Sequence, residues 1–498
     1  MAQLHTTARS FRSILLSSVV IGASVLITSP GHAQTQAPTQ AQMERMEQQI
    51  RELQQQLQTM REQMNTTQEQ VQKTQTQVDT SPKVTFTNGR PGWTSADGQN
   101  SFQLTGRLHY DIADYLSASR GSAAGGPTNS LQSGVNARRA RIGVLGKVAG
   151  DWNYALIADF GGSTDATPTS SIIENAYISY NGFRPVGIDF GYIDVPWTLD
   201  EAISSNDIMF MERSSAQVVA TQFGAGDARA AFGAHWNDTR AWAGLYVTGP
   251  TAGSSHTGSN MSQLAEAGRA SYQVWQNGDD NIHLGVNGIY LSSPRNSSSS
   301  AHQLTLSDRP ELRVDSATFL NTGGINADSG WVAGLEGAGQ FGNFYAQGEY
   351  FHYNVDQFAT TTTTSAPSLG FDGGYIQASY SFGGRRKYNP TSGGYTGVIP
   401  DHPWDTSFNS WGAFELAARY SIVDLNDNVT NGISQTSTGG VFGGKQQTYT
   451  VGLNWYLNAN LRFMFDYIHA DVDKFATNGV ASAGVHYDAI AARAQVAF

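Results

Sequence analysis

The sequence predicts an all-β chain, a 16-stranded antiparallel transmembrane β-barrel preceded by an N-terminal coiled-coil helix. Three observations carry this. From residue 101 onward, short runs recur in which apolar residues alternate with polar or small ones, the period of a strand with one greasy and one wet face. The connections between these runs alternate between a few residues and many. Ahead of them lies one stretch of different period, with apolar residues at strict three-and-four spacing.

At the N-terminus, Arg9 and Arg12 precede the apolar run Ile14 to Ile27 and the small-residue stretch Gly31-His32-Ala33, so residues 1–33 are expected to be a secretory signal peptide. No run of 18 apolar residues follows, and no membrane-spanning helix is expected there. A barrel needs none, because half of each strand faces water. The formal net charge is −11, and losing Arg9 and Arg12 with the leader, which holds no acidic residue, makes it more negative. An acidic exported chain argues against nucleic acid as a partner. The absence of Cys removes disulfide and thiolate–metal readings, and no cofactor or metal is expected.

A Gln/Thr/Pro linker, 34–42, leads to the heptad stretch, expected to be a periplasmic coiled coil over 43–80. Its seam begins Met43, Met46, Ile50, Leu53, Leu57, Met60 and continues to Val78. Thr67 and Thr74 weaken the later heptads, and a disordered tether is the alternative. Residues 81–100 read as a second linker, and 101–498 as the barrel.

The strands are expected near 102–110, 137–148, 152–161, 172–181, 186–194, 226–236, 240–249, 264–276, 281–291, 331–342, 343–355, 374–383, 412–422, 446–458, 460–470 and 486–498. In the first, Phe102, Leu104, Leu108 and Tyr110 face one way, and Gln103, Thr105, Arg107 and His109 the other. In the last, Ile490, Ala492, Ala494 and Val496 alternate with Ala491, Arg493 and Gln495, before a terminal Phe498. Such an ending resembles that of bacterial outer-membrane barrels, whose last strand closes against the first. Short links at 149–151, 237–239, 342–343 and 458–460 are expected on the periplasmic side, together with both termini. The link 384–411 departs from this rule, being long on the short side.

Parity aims Arg107, Arg139, Arg141, Lys147, Arg229, Arg269, Arg419, Arg462 and Arg493 into the lumen, interleaved with Asp111, Asp159, Asp189, Glu336, Glu349, Glu415 and Asp466. Guanidinium groups in a water-filled pore attract anions and bind them through forked hydrogen bonds. Salt bridges that brace the wall are the competing reading. The cluster Arg138-Arg139-Ala140-Arg141, beside Arg107 on the neighbouring strand, is the candidate anion site. The stretch 195–220 is the candidate inward-folded constriction loop, since Trp197, Leu199, Ile203, Ile208 and Phe210 are packing residues. The inward Gly, Thr, Gln and Arg favour a wet, open lumen.

SFQLTGRLHYDIADY, ARRARIGVLGKVAGDWNYALIADF and NAYISYNGFRPVGIDFGYIDVPWTLDEAISSNDIMFMER resemble the phosphate-selective porin O/P family, as do GAFELAARYSIVDLND and YTVGLNWYLNANLRF near the end. The resemblance implies a homotrimer of outer-membrane barrels, each an anion channel. It places Arg107, Arg138, Arg139 and Arg213 where family arginines meet the anion, and Asn206 where the phosphate-specific members carry a lysine. With Arg141 these are the expected constriction residues. The chain has only six lysines, Lys147 alone in an expected strand, so the lysine funnels of the family are thin here. Diffusion of small anions such as phosphate is the function implied. An uptake channel for dicarboxylates is the alternative, since the heptad stretch resembles the coiled coil before some dicarboxylate-uptake porins, and a weakly selective general porin is another. The implied partners are outer-membrane lipid and lipopolysaccharide, small anionic solutes, and peptidoglycan or a periplasmic protein at the stalk.

Two readings of other classes compete. A barrel serving only as a cell-envelope tether would have a closed lumen. A barrel enzyme needs a nucleophile with a positioned His, but no GxSxG run occurs and the His residues are scattered. In GGVFGGKQ, Gln446 replaces the Ser/Thr of a phosphate-cradling loop, and Val429 stands where a calcium loop beginning at Asp424 requires Gly.

Overall fold

The structure, a computed structural model, describes residues 39–79, 81–120, 131–161, 173–226, 228–252, 263–294, 302–359, 366–407 and 409–498. The expected signal peptide and most of the first linker lie outside these residues. The chain divides into two units, Met1–Asp79 and Thr80–Phe498.

In the first unit, one 40-residue helix, α1 (Gln40–Asp79), covers the heptad stretch. Its seam is bare in the single chain, with Met43 51% and Leu57 55% exposed. No helix among the described residues is long and apolar enough to cross a membrane.

The second unit is the barrel. Its strands are β1 (Ser101–Arg120), β2 (Gly134–Val148), β3 (Trp152–Asp159), β4 (Ile173–Phe183), β5 (Val186–Ile193), β6 (Arg229–Asn237), β7 (Ala241–Thr251) and β8 (Leu264–Asn277). They continue as β9 (Asp280–Ser293), β10 (Ile325–Phe341), β11 (Phe344–Gln357), β12 (Leu369–Phe382), β13 (Ala413–Asp427), β14 (Val441–Tyr456), β15 (Leu461–Asp473) and β16 (Val485–Ala497). Each pairs antiparallel with the next, and β16 pairs with β1 from Ala497↔Arg107 to Val485↔Arg120, so the ring closes with the 16 strands expected. Beyond the last pair, Phe498 exchanges two backbone hydrogen bonds of 2.9 Å with Gly106. A Cβ on Gly106 would lie 2.4 Å from the Phe498 ring, so only glycine leaves that ring its place.

The expected alternation is present. Leu108, Ile112, Leu156, Leu245, Leu335 and Ile376 stand exposed on the outer wall, where lipid belongs. One linker is not a linker. Within 81–100, Lys83–Thr87 and Arg90–Thr94 form a hairpin, and Gly92–Thr94 also pair with Ser101–Gln103 at the start of β1. Its turn is Asn88-Gly89, both at positive φ (52° and 78°), the two-residue turn that matches strand twist.

The lumen is not open throughout. The long connection after β5 folds inward with two short helices, α2 (Leu199–Ala202) and α3 (Ser215–Thr221), and buries Trp197, Met209, Phe210 and Phe223. Part of the connection after β9 also turns in, burying Leu306 and Leu312. From the short-turn side, the long link between β12 and β13 enters as well, with Arg386 1% and Tyr395 2% exposed. These segments pack against one another: the ring of Tyr395 lies 4.7 Å from that of Tyr345, in a cluster that includes Phe210. The expectation of a wet lumen therefore fails where these insertions pack, because inward polar groups there hold backbone instead of water.

Candidate constriction and anion passage

The loop after β5 is clamped through its own backbone. Glu349 on β11 accepts hydrogen bonds from the N–H groups of Leu199 (2.8 Å) and Asp200 (3.1 Å) at the start of α2. Asp466 on β15 accepts from the N–H of Met211 (2.9 Å). Wall arginines donate to the loop's carbonyls: Arg462 to Asn206 (3.1 Å) and Ile208 (2.8 Å), Arg419 to Glu212 (2.8 Å), and Arg493 to Met211 (2.6 Å). The short-turn insertion is held likewise. Arg269 forks onto Glu336 and donates to the carbonyls of Ser392 (2.9 Å) and Gly393 (2.6 Å). Arg386 of the insertion forks onto Glu415 on β13, at 2.7 and 2.9 Å.

Arg269, Arg419, Arg462 and Arg493, expected to line the pore, are thus buried braces. So is Arg229, which donates to Ala225 O at 2.9 Å and Gln263 Oε1 at 3.0 Å. Such buried pairs add little net stability, but losing one partner costs about 3–5 kcal/mol because the other charge is stranded.

The Arg138-Arg139-Ala140-Arg141 run behaves differently from strict parity. Across β1 and β2, His109 pairs with Arg139 and Tyr110 with Ala137, which leaves Arg138 unmatched as a bulge. The bulge re-aims Arg138 inward, where Nε and Nη2 meet Glu212 at 2.6 and 3.0 Å. Burial pushes the Glu212 carboxyl up, but Arg138, Arg493 and Arg313 outweigh it and hold it far below the usual range. Arg139 is only 3% exposed, beside the fully buried His109. Asn206, at the family's lysine position, offers its Oδ1 to His109 Nε2 (3.1 Å) and its carbonyl to Arg462 and Gln495. Lys147 is half-buried on β2, opposite Ser101 and Asn153.

Three of the expected arginines meet at one cavity of about 360 Å³, namely Arg107, Arg141 and Arg213. Arg107 donates to the hydroxyls of Ser204 (3.3 Å) and Ser205. Arg141 is paired with Asp159 (2.7 Å) and Glu174. Arg213 donates to Ile203 O (2.8 Å) and lies 3.4 Å from Glu201. Guanidinium forks beside serine hydroxyls are donor chemistry for an oxyanion. Glu174, Asp194, Glu201 and Asp207 share the wall and temper the field. Burial pushes the Asp207 carboxyl up, which reduces its share of that negative charge.

Ser204 and Ser205 were not singled out by the sequence, nor was Thr396 of the 384–411 link, which also faces this cavity. A second cavity of about 410 Å³ adjoins it and shares Asn175, Asp194, Pro196 and Ser392. Elsewhere, the GGVFGGKQ run lies within β14 from Val441 on, and Asp424 and Asp427 accept backbone N–H groups of Asn426 and Gly370.

A family model described as phosphate-selective porin O and P matches residues 102–498. Porin O of Pseudomonas aeruginosa is 26% identical over 421 residues, which cover 80% of this chain and 90% of that protein. Among solved structures, an anion-selective porin from Comamonas acidovorans aligns with a TM-score of 0.49 at 13% identity, over 80% of this chain and all of that one. OmpT of Vibrio cholerae, in a trimer form, aligns with a TM-score of 0.47 at 10% identity, over 80% and 99%.

Proposed function

The chain belongs to the phosphate-selective porin O and P family, and from that premise we propose that its outer-membrane barrel passes small anions, phosphate among them, by diffusion past Arg107, Arg141 and Arg213. The observation that carries this reading is the meeting of those three guanidinium groups with Ser204 and Ser205 on one cavity. The anion exchanges water for fork and hydroxyl donors that the clamped loop holds in place. Arg138 and Arg139 act behind this wall, Arg138 by neutralising Glu212.

The four carboxylates on the same cavity favour modest selectivity over strict phosphate specificity. Phosphate and succinate, each added to chloride solutions in a planar bilayer, separate the readings. Phosphate block of the chloride current supports a phosphate path, and block by succinate alone moves the channel to dicarboxylates.

The assembly is assigned as a homotrimer, with α1 a periplasmic coiled coil. Support for the coiled coil is the bare heptad seam of α1. Cross-linking of Leu57→Cys in the intact chain with a three-armed maleimide tests the helix assignment, with a trimeric product expected and monomer alone contradicting it.

A further inference from the structure

The cavity that adjoins the arginines has a different chemistry. Among the described residues, none that line it is Lys or Arg. Lys147, the wall cation opposite Asn153 in register, is not part of its lining. Four amides face it instead, Asn153, Asn175, Asn181 and Asn237, from β3, β4 and the end of β6. Aromatic faces complete it, Tyr177 on β4 and Trp242 and Tyr246 on β7.

The one carboxylate on β5, Asp189, is already engaged. It accepts hydrogen bonds from His235 Nδ1 (2.7 Å) and Tyr246 Oη (2.9 Å). His235 in turn stacks on Trp242, with centroids 6.4 Å apart and planes 6° from parallel. This chain of contacts fixes the aromatic wall and leaves the carboxylate with little capacity for an ammonium group. A second carboxylate, Asp194, lines the cavity where it meets the arginines, and Asn181 donates its Nδ2 to Ser179 (3.2 Å); most of the remaining polar lining is neutral amide, able both to give and to accept hydrogen bonds. Amides around an aromatic face are chemistry for a hydroxyl-bearing body, not for a bare inorganic anion. Both cavities fall within the roughly 300–1,000 Å³ range of small-molecule sites.

We propose that the two cavities form one composite site for a small sugar phosphate, with the phosphate at Arg107, Arg141 and Arg213 and the hydroxylated body against Asn153, Asn181 and Tyr177 on the short-turn side. This rests on the anion reading above and names the solute class it serves. The shared residues Asn175, Asp194, Pro196 and Ser392 make the two cavities continuous, so one elongated solute spans both. Ser392 comes from the 384–411 insertion, which therefore helps to shape the body subsite.

The test is block of chloride current through the full-length protein by inorganic phosphate, glucose 6-phosphate and glucose, in the wild type and in Asn153→Ala/Asn181→Ala, two residues that line the second cavity alone. Tyr177→Phe, which keeps the ring, guards against a folding defect, and each variant is first checked for open-channel conductance. In the wild type, glucose 6-phosphate should block about tenfold more tightly than phosphate, because the added hydrogen bonds outweigh the cost of ordering the solute. The double variant should lose that advantage while phosphate block stays unchanged. Equal block by the two phosphates in an anion-selective channel overturns this inference alone. A loss of phosphate and glucose 6-phosphate block together in the double variant also overturns it. Absence of any anion preference in the wild type overturns the underlying channel reading instead.

Discussion

Arg493 on the last strand and Asp111 on the first share two hydrogen bonds, Nε to Oδ1 at 2.6 Å and Nη2 to Oδ2 at 2.7 Å, across the seam where the barrel closes. The same guanidinium donates to Met211 O and lies 3.1 Å from Glu212. One side chain thereby ties barrel closure to the position of the constriction loop.

Arg493→Ala strands Asp111 and loosens the loop, at a cost of about 3–5 kcal/mol. The temperature at which the folded band disappears on a gel should fall, and single-channel conductance should become larger and noisier. Arg493→Lys, which keeps charge but not the fork, should fall between.

The Phe498 ring occupies the space a Gly106 side chain would need. Gly106→Ala is expected to reduce folding yield into detergent or liposomes. Gly337→Ala is the matched control on β10, because a Cβ there meets nothing closer than Leu284 Cδ2 at 3.5 Å. Equal yields for the two variants would contradict the packing account.

The insertion between β12 and β13 is pinned by Arg386 on Glu415. Glu415→Gln keeps the shape but weakens the charge pairing. The expected result is a raised conductance, read in planar bilayers, as the insertion leaves the lumen part of the time.

Burial pushes the Asp308 carboxyl up to about 6, against the pull of Arg313. Because its folded pKa is raised, ionisation above that point subtracts stability, and proton uptake below it removes a negative charge beside Arg313. Anion preference should therefore rise as pH falls from 7 to 5. Burial likewise pushes Lys474 down to about 8, so its charge is lost as pH rises through 8 and anion preference should drop there. Reversal potentials across this range check both signs, with Asp308→Asn removing part of the acid limb.

Much of this was legible in the sequence, and the reasons are physical. Period-two alternation is dictated by the pleat, so the strands and the outward faces of β1 and β16 could be read directly. The packing residues from Trp197 to Met211 marked the inward loop for the same reason that they are buried. Parity could not see the bulge at Arg138, because one unmatched residue shifts every side chain before it. Nor could parity separate bracing arginines from passage arginines. Arg419, Arg462 and Arg493 alternate as Arg107 does, and only the carbonyls of a distant loop make them different. The Asn88-Gly89 turn was a readable hairpin signal in what looked like a linker. The inward course of 384–411 left just one trace, a long link on the short-turn side.

The most direct test of the central claim is the reversal potential of the purified protein under a KCl gradient, compared with the Arg107→Ala/Arg213→Ala double variant. The expected result is a modestly anion-selective wild type and a variant in which that preference is lost or reversed, as Glu174, Asp194 and Glu201 come to dominate the cavity. A cation-selective wild type, or a variant with unchanged selectivity, would contradict it.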